Sequence, residues 1–292
     1  QVKLKRNDIE LMLSEKLITI QDGYVIWNED KLEYDSRYND IKLMALNKTL
    51  MFVNNTVLMW NFPVEVFKSF KEVYILTYKF HSQIQRYYYD LHSVGYNYNT
   101  VVNNNGKFVL SGVDKQTIID DKNRISEISK LVNILEHNKL NSVGENRFAL
   151  SSTWFKKKDN SFMISMLQKN VSNYFKNIRK AKSNDILWTT FKESKHSLSG
   201  LGYTKGFIAC NCRATNEYGD KHNLAYCVNI FLNPIVSQFF IDKGVEIDEE
   251  GYALSEALQW IWRSAIRNNE EINIYIPSSR MRTLLKNYLN LK

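Results

Sequence analysis

The chain has 292 residues, 44% of them hydrophobic and 13% aromatic, which is ample for a packed core and excludes wholesale disorder. That length allows two ordinary domains or one large one. The formal charge of +8 equals the excess of one stretch, residues 154–205, where eleven Lys or Arg face three acids.

Such a basic segment favours a phosphate-rich partner, since each neutralised phosphate releases counterions; the plain alternative is a lysine-rich solvated face. No apolar run reaches the length of a bilayer span, and "QVKLKRNDIE" is not a signal peptide. The chain therefore reads as cytoplasmic, with no membrane partner. Its three cysteines, Cys210, Cys212 and Cys227, suit a reduced compartment better than a disulfide framework. Because the first residue is Gln1 and not Met, the simplest reading is that an N-terminal part is missing.

Along the chain, "NDIELMLSEKL" predicts a helix capped by Asn7 or Asp8, and "GYVIWNED" a short strand. The unalternated run "EVYILTY" (72–78) predicts a strand buried on both faces, followed by a helix from about His81 to Leu91. Residues 93–125 have little periodicity and read as a linker or insertion with a local hairpin around "NNNGKF". Amphipathic helices are expected at 123–138 and 160–182.

From 184 onward the pattern is regular. "DILWTTF", "GFIAC" and "INIYI" read as strands, "DKHNLAYCVNIFLNPIVSQFFIDKG" as helix interrupted at Pro234, and "PSSRMRTLLKNYLNL" as a helix capped by Ser278 or Ser279. Strands alternating with helices predict an α/β fold with a parallel sheet. The expected organisation is 1–92, 93–183 and 184–292, with the sheet in the last part.

The helix "ALSEALQWIWRSAIR" (253–267) combines two tryptophans with two arginines. At 100° per residue, Leu254, Leu258, Ile261, Trp262 and Ala265 share one arc of about 100°. Gln259, Arg263 and Arg267 fall at i, i+4 and i+8 in a second arc, with Trp260 at its flank. An arginine pair one turn apart suits an anion between its forks; a surface helix with solvated arginines carries equal weight. Arg213, Thr215 and Asn216, at a strand–helix junction, offer donors of the same kind, or simply an ordinary capped turn.

The Gln followed by "IWRSAIR" just before a strand resembles motif VI of superfamily 2 helicases and translocases. "DILWTTFK", "GFIACNCRATNEYGDKHNLAYCVN" and "INIYIPSSRMRTLL" are similar to the motif IV to VI region of helicase-like proteins from phages and prophages of Gram-positive bacteria, and "FPVEVFKSFKEVYILTYKF" to the end of their first domain. The resemblance covers most of 60–90 and nearly all of 184–292. It implies a RecA-like parallel sheet flanked by helices in 184–292, preceded by a mixed, mainly helical region.

It further implies that Gln259 orients a nucleotide and Arg263 acts as an arginine finger, a device worth roughly 10³–10⁵ in rate. Arg267 departs from the family spacing, because Ile266 occupies the usual place of the second arginine. Arg213, Thr215 and Asn216 stand at the motif V position. With Lys192 and Lys205 they would contact nucleic acid, DNA rather than RNA, aided by Trp154 and Trp188. Trp262 reads as core and Trp260 as a residue packed or stacked beside the nucleotide.

No G-x-x-x-x-G-K-[ST] loop is present, and "VEIDEEG" only imitates a metal-holding acidic motif. ATP and Mg²⁺ are thus expected only in a longer protein whose additional RecA-like domain supplies the phosphate-binding loop. The chain alone is expected to bind no cofactor and no metal: buried free thiols are the commoner explanation for the three cysteines than a zinc site with His222. The two functional expectations are the C-terminal part of an ATP-dependent helicase or translocase, and a non-catalytic module that grips DNA or protein.

Overall fold

Asp22 and Gly23 both take left-handed backbone angles, φ 52° and φ 82°, as a two-residue type I′ turn requires. They join β1 (Ile18–Gln21) to β2 (Tyr24–Trp27) in antiparallel register. The computed structural model describes residue 4 and residues 7–53, 57–212 and 215–291. Its chain divides into one unit made of Gln1–Thr77, Tyr87–Gly95 and Asn233–Ile247, and a second made of Tyr78–Arg86, Tyr96–Leu232 and Asp248–Lys292.

In the first unit, β1 and β2 continue into β3 (Leu50–Val53) and β4 (Val57–Trp60), a sheet in the order β1-β2-β3-β4. Helices α1 (Asp8–Ser14) and α2 (Asn39–Leu46) pack with it, burying Met12, Ile18, Val25, Trp27, Ile41 and Leu50. The expected buried strand at "EVYILTY" does not form. Residues 72–78 have no strand geometry, and Val73, Tyr74 and Leu76 are exposed, Leu76 by 88%. An apolar run supplies a preference for burial, but a strand also needs a neighbour for its ladder bonds, and other segments complete both larger sheets.

In the second unit, β5 (Asn99–Asn104) and β6 (Lys107–Gly112) form a hairpin, again turned on two positive-φ residues, Asn105 and Gly106. Helix α3 (Lys115–Ser129) follows. It starts eight residues before the expected position because Asp114 and Thr117 form a reciprocal capping box. It also stops at Ser129, and part of the expected helix is instead the edge strand β7 (Val132–Ile134). The next long helix, α4 (Ser161–Asn173), widens into a π turn at Tyr174–Ile178.

Strands β8 (Ile186–Thr189), β9 (Asn223–Tyr226) and β10 (Ile272–Tyr275) complete an all-parallel sheet in the order β7-β10-β9-β8. Helix α5 (Glu249–Ile261) precedes β10, and α6 (Ser279–Tyr288), capped by Ser278, follows it. Alternate residues face opposite layers. Leu187, Leu224, Ile272 and Ile274 pack with α3, α5 and α6, whereas Ile186, Trp188, Ala225 and Tyr275 pack with α4. This is an α/β arrangement, a parallel sheet flanked by helices in the C-terminal half.

Two expected elements exchange places. "GFIAC" makes only one parallel bridge, Phe207 with Trp188, while "NLAY", expected to be helical, is the central strand β9. A strand buried on both faces is apolar without alternation, so its periodicity cannot be told from that of a buried helix.

Candidate functional site

Helix α5 begins where the Asp248 carboxylate accepts from the Gly251 N–H, 2.8 Å away, with Glu249 and Glu250 in the first turn complementing the helix dipole. It ends earlier than its sequence pattern implies. The Ser264 hydroxyl donates to the Ile261 carbonyl at 2.7 Å and Ser264 itself is extended, so the chain leaves the helix after Ile261. Arg263 and Arg267 therefore do not continue the stripe begun by Gln259. Arg267 sits in a separate 3₁₀ turn, Ala265–Asn268.

The structure nonetheless brings four expected residues together. Arg263, only 8% exposed, donates through Nη1 to the Thr215 carbonyl at 3.0 Å and through Nη2 to the Cys212 carbonyl at 2.5 Å. Arg267 Nη1 donates to the Asn216 side-chain oxygen at 2.7 Å. A buried guanidinium needs acceptors to offset its desolvation, and here backbone carbonyls serve, tying Cys212 and Thr215 to the end of α5. Arg213 lies outside the described residues. Lys192 and Lys205 are exposed, each in its own short 3₁₀ turn.

Gln259 points elsewhere. Its Nε2 donates to Ser255 Oγ at 3.0 Å, and it lines a cleft of about 300 Å³ together with Tyr78, Asp121, Arg124, Trp262 and Tyr288. Ile128 and Leu258, both buried, close the floor. The Tyr78 and Tyr288 hydroxyls meet at 2.5 Å, and burial pushes both phenols above their ordinary pKa. The two tryptophans take the reverse of their expected roles: Trp260 is 1% exposed in the core, edge-on to Tyr226, and Trp262 walls the cleft. Rotation about α5 misplaced Trp260 because the helix is buried on nearly every face, so the arc opposite Leu254 and Leu258 is core as well.

The basic surface is as sequence counting implies, except in its aromatics. Lys156, Lys157, Lys158, Lys169, Lys176 and Lys182 are exposed and form no salt bridge among the described residues. Trp188, expected to help grip nucleic acid, is fully buried with its indole N–H on the Tyr203 carbonyl at 2.8 Å. Trp154 is half-buried against Phe155. The exposed large hydrophobic side chains among the lysines are Phe162, Ile178 and Leu201, at 77%, 38% and 96%.

Two polar clusters escaped the sequence because their members are far apart in it. At the carboxyl ends of β9 and β10, Arg280 Nη1 donates to the Asn229 side-chain oxygen at 3.0 Å and the Ile230 carbonyl at 2.7 Å, and the guanidinium lies 4.3 Å over the Phe231 ring. At the amino end of β9, His222 bridges two carboxylates, Nδ1 to Asp185 and Nε2 to Glu270, each at 2.8 Å. The imidazole fills the space between the two acids, and among the described residues no such trio converges on a metal.

Burial opposes the His222 charge, but its hydrogen bonds to Asp185 and Glu270 and their charges hold its pKa above the ordinary 6.5. A raised folded-state pKa means that the stabilisation is complete below about 6.5 and is lost as pH rises through the folded value. Thermal melts should therefore show a declining midpoint above pH 6.5. In His222→Gln that slope should flatten and the pH 6 midpoint should fall; an unchanged slope would assign the pH dependence to other groups.

Comparison with known proteins gives the descent. Residues 126–289 match the family described as "YonV C-terminal Rossmann-like domain", and residues 1–60 the one described as "YonV middle domain". The "SPbeta prophage-derived uncharacterized protein YonV" of Bacillus subtilis (strain 168) is 43% identical over 294 residues, covering 99% of this chain and 70% of the relative. The chain belongs to the YonV family. No solved structure matches it. The YonV Rossmann-like match spans all four parallel strands, and the prophage origin of the relative agrees with the phage-type resemblance of the motifs. No described helix is long and apolar enough to cross a membrane.

Proposed function

We propose that this YonV-family chain binds nucleic acid through the basic face of its Rossmann-like domain. The observation that carries the reading is the run of exposed lysines between residues 156 and 182 that form no salt bridge among the described residues. Lysines with no carboxylate partner among the described residues leave their charge available to an external polyanion such as the phosphate backbone of duplex DNA. Arg263 fits this non-catalytic role, since both terminal nitrogens are engaged in holding a loop.

A second reading draws on the gathering of Arg263, Arg267, Thr215 and Asn216. These are the counterparts of motifs V and VI in the helicase resemblance, and a cluster joining them would relay nucleic-acid contact to a nucleotide. On that reading the chain supplies an arginine finger to an ATP–Mg²⁺ site completed by a phosphate-binding domain elsewhere in a longer protein. Arg263 would then exchange its carbonyl partners for phosphate oxygens.

One set of measurements tests both. Binding of labelled duplex DNA should weaken with salt, and Lys156→Ala/Lys157→Ala/Lys158→Ala should reduce the log–log slope by about 0.9 for each phosphate that is no longer neutralised. Salt-independent binding, or a triple variant with the parental slope, would remove the basic-face reading. For the motor reading, DNA-stimulated ATP hydrolysis by the longer gene product should fall by about 10³ or more in Arg263→Ala. An unchanged rate in a folded variant refutes the finger.

A further inference from the structure

The cleft between α3, α5 and α6 has a chemistry of its own. At about 300 Å³ it lies at the small end of ligand pockets, room for one ring system rather than a peptide or an acyl chain. Its floor is apolar and its walls carry three aromatic residues, Tyr78, Trp262 and Tyr288. Aromatic walls alone would suit an organic cation, but the charges around the mouth argue against one. Arg124 lines the cleft, and Lys79 Nζ already stands 5.9 Å over the Tyr288 ring. Asp121, one helical turn from Arg124, disfavours a simple anion equally. What remains is a neutral, flat group with donors and acceptors on its edge.

The polar lining is fixed in advance. Ser255 Oγ accepts from Gln259 Nε2 at 3.0 Å and from Gln83 Nε2 at 2.7 Å, and donates to the Tyr78 carbonyl at 3.1 Å. The same relay orients the Gln259 carboxamide and holds the Tyr78 backbone. The hydroxyl contact between Tyr78 and Tyr288 sets their rings perpendicular, with centroids 6.4 Å apart. Preordered aromatic walls beside an oriented amide lower the entropic cost of capturing a ring and reading its edge.

We propose that this cleft binds a nucleobase. The base comes either from a free nucleotide or from an unstacked position of a single strand; the second source rests on the nucleic-acid reading above, the first does not. Stacking on the aromatic walls supplies affinity, and Gln259 with Asp121 discriminates by edge hydrogen bonds.

The test uses the full 292-residue chain with two probes, adenosine monophosphate by calorimetry and a single-stranded oligonucleotide carrying 2-aminopurine by fluorescence. Trp262→Ala should weaken the responding probe by about tenfold or more, and Trp262→Phe should restore most of the affinity. Gln259→Leu, which keeps the volume and removes the edge contacts, is a second handle if Trp262→Ala does not fold. Response to the monophosphate alone identifies a free nucleotide, and quenching in the strand alone identifies an unstacked base. If the oligonucleotide binds in a salt-sensitive manner while its fluorescence and the monophosphate are both indifferent to these variants, the cleft inference is overturned and the basic-face reading stands. If the monophosphate binds through Trp262 and no DNA binds, the cleft inference holds and the basic-face reading fails.

Discussion

Gly144→Ala is expected to destabilise the Rossmann-like domain by about 3 kcal/mol or more, the upper range for overpacking. A Cβ at residue 144 would lie 2.0 Å from the Pro277 carbonyl oxygen, 2.4 Å from its carbon and 2.8 Å from the Ser278 nitrogen. All three are main-chain atoms at the point where β10 hands over to α6, so no side chain can rotate away. Nor can the 140–150 segment retreat. It is held to the carboxyl ends of the strands by Tyr275 Oη on the Leu140 carbonyl at 2.6 Å, by Ser279 Oγ on the Glu145 carbonyl at 3.1 Å, and by the Asn229 side chain on the Arg147 and Ala149 carbonyls. Calorimetry should show the domain's unfolding transition shifted down by about 6–12 °C. Gly112→Ala is the control: a Cβ there meets nothing within 4 Å, and the shift should be negligible. Equal effects in the two variants would mean that residues 140–150 move freely, contrary to this network.

That glycine shows where sequence reasoning stops. Elements written in local chemistry were legible: the Asn-Gly hairpin at 105–106, the Ser278 cap, and the strands "ILWT" and "INIY" between their flanking helices. The parallel α/β class followed from their alternation. Elements decided by a partner were not. "EVYILTY" and "NLAY" are both unalternated apolar runs, yet only the second finds strands on either side, β8 and β10. Likewise no spacing rule joins His222 to acids 37 residues before it and 48 after it, or Gly144 to Pro277.

At the candidate site, Gln259 lines a cleft beside α5, and Arg263, Arg267, Thr215 and Asn216, which the resemblance grouped, lie together in the fold. What a helical wheel could not give was the end of the helix. Beyond Ile261 the chain no longer turns by 100° per residue, which takes Arg263 and Arg267 off the Gln259 stripe; before it, α5 is buried on nearly every face, so the arc that held Trp260 is core as well.

The tryptophan pair turns that error into a measurement. Trp260→Ala should cost about 3–5 kcal/mol, because a fully enclosed indole leaves a cavity that the sheet and α5 cannot close around. Its indole nitrogen has no hydrogen-bond partner among the described residues, so the cost is one of packing alone. Trp262→Ala, on the half-open wall of the cleft, should cost no more than about 1 kcal/mol while abolishing the ring that a bound base would stack on. Denaturant titration followed by circular dichroism separates the two without any ligand. A reversed order would restore the wheel's assignment, with Trp262 in the core and Trp260 facing outward, and would take the aromatic wall away from the cleft. The expected order instead leaves one tryptophan for the fold and one for a ligand, two residues apart, on either side of the last turn of α5.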